Sequence, residues 1–159
     1  RKKKGPSQYR LRWDEVVYEP GTLEVVTYRY GKQWATEAVK TAQAPASLEV
    51  RPDRTEIRAD GRDLAFVTVR LADANGLTAP RARNPVRFKI EGTGEIVATD
   101  NGDPTSFEPF QSHERKAFNG LCLVIVRAKA GQAGGIKLTA SSEGLRDGVA
   151  FMTTAAGSP

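Results

Sequence analysis

Nucleophilic, acid–base and metal chemistry each need particular side chains, and this sequence is sparing with most of them. It holds one histidine, His113, and one cysteine, Cys122. A serine triad needs a histidine beside a nucleophile. His113 stands instead in the charged run His113-Glu114-Arg115-Lys116, and no serine sits in a Gly-x-Ser-x-Gly elbow. A lone cysteine supplies neither an intrachain disulfide nor a multi-cysteine metal site. Gly131, Gly134 and Gly135 are expected in a hairpin turn rather than between a strand and a helix, so they make no phosphate loop.

The densest polar cluster is Asp100-Asn101-Gly102-Asp103-Pro104-Thr105. Oxygens from Asp100, Asn101 and Asp103 suit a hard cation such as Ca²⁺, but no glutamate follows at EF-hand spacing. Short Asx side chains that bond their own backbone give the same composition in a plain turn, and no metal or cofactor is expected. A third reading has Asp103 and Glu108 pairing with Arg115 or Lys116 to pin the surrounding segment. Aromatic rings, by contrast, are plentiful: Trp13, Tyr28, Tyr30, Trp34, Phe107 and Phe110 could stack on sugar C–H faces if exposed. Trp13 and Trp34 fall within expected strands and are read as core. Phe107 and Phe110 are read as contacts to a partner domain or ligand. The candidate contact set is therefore Asp100, Asn101, Asp103, Phe107, Phe110, His113 and Arg115, with no catalytic residue.

Those residues must be held by strands. Leu23–Tyr30 is rich in β-branched and aromatic residues, Gly31-Lys32 reads as a turn, and Trp34–Thr41 follows, which together predict a hairpin. Tyr9, Leu11 and Trp13 alternate with Arg10 and Arg12 as in a further strand. Ala42-Gln43-Ala44-Pro45-Ala46 is a small-residue hinge, which places a boundary between domains at 1–44 and 45–159. Beyond it, Ala65, Val67, Val69 and Leu71 share one parity, as do Val86, Phe88 and Ile90, and again Ile136, Leu138 and Ala140; these should face the core. Leu121–Ala128 is apolar on both parities and predicts a central strand covered on both faces. About seven short strands with turn signals between them predict an all-β, immunoglobulin-like sandwich. The stretch Asp100–Asn119 lacks periodicity, and a long irregular segment in a compact domain is where contacts are usually made.

Charge and size narrow the function. Lys plus Arg is 24 and Asp plus Glu is 19, a net +5, and Arg1, Lys2, Lys3 and Lys4 carry most of that excess. A nucleic-acid binder would carry it on a folded face, so no nucleic-acid partner is expected. No apolar run approaches the roughly 18–20 residues of a helical membrane span, and none follows the basic start as in a signal peptide. A TIM barrel needs about 250 residues, against 159 here.

Several motifs resemble a known family. Tyr9–Leu23, with Trp13 and Pro20-Gly21, looks like the closing part of the small sandwich domain that follows the catalytic barrel in many bacterial β-galactosidases of glycoside hydrolase family 2. Asp60-Gly61-Arg62-Asp63-Leu64, Asp100–Thr105, Arg115–Gly120 and Leu123–Val126 resemble the immunoglobulin-like, invasin-type C-terminal domain of the same enzymes. The resemblance implies a parent that hydrolyses β-galactosides with retention, using two barrel carboxylates, none of which maps onto this chain. It implies a non-catalytic accessory role, the barrel of the same polypeptide as partner, an exported parent, and residues 1–44 as part of a smaller sandwich that pairs with strands elsewhere. A glycan-binding module is the alternative, and homo-oligomer formation is left open.

Overall fold

The computed structural model describes residues 12–156, and every secondary-structure element among them is a strand. The chain divides into two compact units between Thr41 and Ala42. Tyr9 and Leu11 lie outside the described residues, as do the four basic residues at the start, and Arg12 and Trp13 are not in a strand.

The first unit holds β1 (Thr22–Arg29) and β2 (Lys32–Lys40), paired antiparallel from Thr22↔Lys40 to Arg29↔Lys32. The connection is Tyr30-Gly31, one residue earlier than the sequence suggests. Both residues have positive φ, 50° and 79°, the backbone of the mirror-image turn whose twist matches a two-residue hairpin. Glycine takes that conformation freely; tyrosine does so at a steric cost. Trp34 sits where the register shifts, since Thr27 pairs with Ala35 and Tyr28 with Gln33. It is 66% exposed and Trp13 is 45% exposed, so neither is core. Among the described residues of this unit, no second sheet packs on the hairpin.

The second unit is a sandwich. One sheet has the order β3 (Ser47–Pro52), β5 (Leu64–Ala72), β9 (Leu121–Ala128), β7 (Gly94–Asp100). The other runs β4 (Glu56–Arg58), β11 (Gly148–Ala155), β10 (Gly134–Ser141), β6 (Pro85–Gly92), β8 (Glu114–Lys116). All neighbours are antiparallel except β4 and β11. The core fills the space between the sheets. Val67, Val69 and Leu71 from β5 and Val124 and Val126 from β9 meet Val86 of β6 and Ile136 and Leu138 of β10, all buried. Each belongs to an alternating run, so a single parity of each strand supplies the apolar layer.

Two expectations change here. Strand β9 is central, but only its Cys122–Ala128 parity is buried; Leu121 is exposed and Leu123 and Ile125 are half-buried, because only one of its faces has a sheet packed on it. Gly131, Gly134 and Gly135 do not close a hairpin, because β9 and β10 belong to different sheets and this connection crosses between them.

Candidate functional site

The segment between β7 and β9 is organised from its own short side chains outward. Asp100 Oδ1 accepts the N–H of Asn101 at 2.7 Å and of Gly102 at 3.3 Å. Asn101 Oδ1 accepts the N–H of Asp103 at 2.9 Å, and Asp103 Oδ1 accepts both the N–H and the hydroxyl of Thr105, at 2.9 and 2.7 Å. These are successive Asx turns, in which a side chain stands in for a backbone carbonyl. One side-chain oxygen of each of Asp100, Asn101 and Asp103 is thus engaged by the chain itself. The Thr105 bonds hold the Asp103 carboxyl below its ordinary range. Asn101 also reaches across, donating from Nδ2 to the carbonyl of Lys116 at 2.8 Å, which ties the turn to the β8 strand.

Arg115 is the internal strut of this segment. It occupies the inward position of β8, opposite Val86, and its side chain is 1% exposed. Nη2 donates to the carbonyls of Thr99 (2.7 Å) and Pro109 (2.8 Å), and Nη1 donates to the carbonyl of Glu108 (3.0 Å). Glu108 adds an ion pair at 3.4 Å, and the Phe110 ring lies 5.9 Å from the guanidinium. Thr99 Oγ1 donates in turn to the carbonyl of Ser112 at 2.8 Å. One planar fork thus satisfies three carbonyls that a loop would otherwise bury unpaired, and it joins the edge of one sheet, β8, to the edge of the other, β7. Arg115 therefore leaves the set of surface contacts: a buried guanidinium with its donors committed cannot also meet a partner. The pinning ion pair is made by Glu108, not Asp103.

Cys122 lies directly behind. Its thiol is 3.8 Å from the Arg115 carbonyl, and burial pushes its pKa up to about 12. A thiol so protonated is a small core residue rather than a nucleophile.

The remaining candidates sort by exposure. Phe107 is 98% exposed, the highest value among the large hydrophobic residues described; Phe110 and His113 are also exposed. The carbonyls of Phe110 and His113 accept the N–H groups of Thr99 and Phe88, at 2.6 and 2.8 Å, so their backbones are fixed in place. Beside Phe107 the segment encloses a cup of about 220 Å³. Its inner wall is Ala117, Phe118, Asn101, Asp103 and Ser106; its rim is Phe107, Glu108, Lys116 and Arg83. Asp100, Phe110, His113 and Arg115 do not line it.

Of the lining residues only Asn101, Asp103 and Phe107 belong to the candidate contact set; Arg83 and Phe118 are among those that sequence reasoning did not single out as contacts. Arg83 lies 17 residues before Asp100, in a Pro80–Asn84 connection with no pattern of its own. Backbone bonds bring it there: Gly120 N–H to the Ala82 carbonyl (3.1 Å) and Ala117 N–H to the Asn84 carbonyl (2.9 Å). Its guanidinium then stands 6.0 Å from the Phe118 ring. Asn119-Gly120 forms a turn: both residues have positive φ, and Phe118 and Leu121 exchange backbone bonds at 3.0 Å.

Comparison with known proteins gives the chain relatives. A family model described as glycoside hydrolase family 2 C-terminal domain 5 matches residues 48–150, and a second, a domain of unknown function designated DUF4982, matches residues 1–35. The chain is 44% identical over 148 residues to the beta-galactosidase BoGH2A of Bacteroides ovatus, covering 93% of this chain and 17% of that protein. It is 39% identical over 87 residues to a beta-galactosidase of Thermoanaerobacter pseudethanolicus, covering 55% of this chain and 12% of that one. Among solved structures, a glycosyl hydrolase family 2 member from Bacteroides cellulosilyticus superposes with a TM-score of 0.82 at 34% identity, over 88% of this chain and 18% of that chain. The chain spans less than a fifth of the length of each of these three.

Proposed function

The chain belongs to the glycoside hydrolase family 2 C-terminal domain 5 family, and on that premise we propose that it is a non-catalytic accessory part of a longer enzyme that hydrolyses β-galactosides or related glycosides. The observation that carries this is the coverage: 93% of the chain aligns with 17% of a beta-galactosidase. The chemistry of the cup agrees. A glycosidic general acid needs a raised pKa, whereas the Asp103 carboxyl is held low by Thr105. Glu108 is tied to Arg115 and to the Lys116 N–H, so the segment holds both carboxylates in place. The partner in this reading is the catalytic barrel of the same polypeptide, and the Asp100–Asn119 segment is the surface offered to it, because that segment combines a rigid backbone with the exposed Phe107 and Phe110.

The test is direct. The 159-residue chain should leave a chromogenic β-galactoside intact at any concentration, and turnover that follows the purified chain through successive columns would overturn the assignment. In the longer enzyme, replacing residues 102–110 with a Gly-Ser linker should lower the unfolding temperature of the barrel; an unchanged barrel would remove the contact role.

A second reading has a specific observation in its favour. Trp34 and Phe107 are both exposed, and aromatic faces in water suit sugar C–H surfaces. In that reading the chain tethers its enzyme to glycan.

A further inference from the structure

The cup beside Phe107 combines features that point to one ligand chemistry. Its volume of about 220 Å³ falls below the roughly 300–1,000 Å³ of pockets for cofactors and drug-sized ligands. It suits a single small ring, not a nucleotide. Its charged groups are two cations, Arg83 and Lys116, and two carboxylates, Asp103 and Glu108. The balance draws neither an anion nor a cation strongly, but it does set donors and acceptors around one opening. The Phe118 ring, half-buried, gives an apolar wall, and Phe107 gives a second aromatic face fully in water. A ring with hydroxyls at its edge and C–H groups on its face matches that pattern.

The polar groups are also held in position before any ligand arrives. Asp103 uses Oδ1 on Thr105, Asn101 is fixed by the Lys116 carbonyl and the Asp103 N–H, and Glu108 is fixed by Arg115 and the Lys116 N–H. Groups already ordered by their neighbours lose little entropy on binding. Phe107 packs on almost nothing, which leaves its ring free beside the cup.

We propose that this cup is a binding subsite for one neutral pyranose unit of a glycan, with Phe107 and Phe118 facing the sugar ring and Asp103 accepting from its hydroxyls. The proposal rests on the glycan-binding reading and gives it a location and a ligand class.

The experiment is an amide NMR titration of the whole 159-residue chain with methyl β-galactopyranoside to about 50 mM, alongside methyl β-glucuronide as the charged analogue. Single-unit sugar sites bind in the millimolar range, so saturable shifts are expected at Asn101, Asp103, Ser106, Ala117 and Phe118. Phe107→Ala should weaken the galactoside about fivefold, as loss of one stacking face implies, with the spectrum otherwise unchanged because the ring touches so little. Asp103→Asn keeps an Oδ1 for the Thr105 turn and should also weaken binding. Shifts confined to Trp34 and its hairpin would overturn the cup and leave the glycan-binding reading standing. Silence with the monosaccharide and with a galactan in an affinity gel would overturn both. Tighter binding of the glucuronide would overturn the neutral class.

Discussion

The hairpin and the sandwich are written in the same alternating code and meet opposite fates. In β10, Ile136, Leu138 and Ala140 alternate and all are buried; in β1 and β2, Leu23 and Val39 face each other across the ladder and both are exposed, Val39 at 67%. The difference is not in the strands. Alternation makes a two-faced ribbon, but a face is buried only when another layer covers it. The sandwich unit contains its own second sheet; among the described residues, the hairpin unit has one sheet of two strands. Apolar content alone therefore predicts burial poorly, and the number of layers around a strand decides it.

The sharpest way to break this comparison is to remove a group that the sandwich cannot replace. Arg115→Ala leaves the carbonyls of Thr99, Glu108 and Pro109 without their donor, and should cost about 4 kcal/mol. The measurement is urea unfolding followed by circular dichroism; a loss below 1 kcal/mol would mean that the segment closes without its strut. Next in size is a paired truncation. Leu138→Ala should cost about 3 kcal/mol through lost burial and a residual cavity, whereas Val39→Ala, in the same strand-face pattern, should stay within about 0.5 kcal/mol. Equal losses would show that the hairpin face is covered in solution.

The smallest effect is acid-linked. Asp73, in the turn after β5, accepts the N–H groups of Gln43 (2.9 Å), Leu77 (2.8 Å) and Asn75 (2.9 Å), and the Gln43 bond leads in holding its carboxyl below the ordinary range. A carboxyl lowered in the folded state stabilises fully above the unfolded value of about 3.9 and loses that contribution as pH falls through the folded one. Thermal unfolding of the sandwich should therefore be flat above about pH 5 and decline below about pH 4. In Asp73→Asn the decline should be shallower, and an identical slope would assign the acid sensitivity elsewhere. Glu49, lowered chiefly by its bond from Arg70, acts in the same direction.

Much of the sandwich was legible because burial parity is a local property. Val67 and Val69, Val86 and Phe88, and Ile136 and Leu138 each declare their face two residues apart, and all six are core. The turn at Asp100 was equally readable, since Asx side chains bond residues only one or two positions away. The tryptophans were not: a strand position gives the direction of a ring, not what stands there. Arg115 was readable as a pin for Glu108 but not as a buried one, for a related reason. A charged residue in a long aperiodic stretch reads as solvated, and only three carbonyls arriving from two other places turn it inward.

By itself, then, the sequence determined that this chain is built of strands, which parity of each sandwich strand is apolar, and which family it resembles, because these depend on neighbours within a few residues or on motifs written in order along the chain. The tertiary structure alone decided that Trp34 is exposed on its hairpin, that Arg115 is interior, and that Arg83 and Phe118 line one cup with Asp103. Each of those outcomes depends on layers and loops meeting through space, and sequence separation carries no information about which of them will.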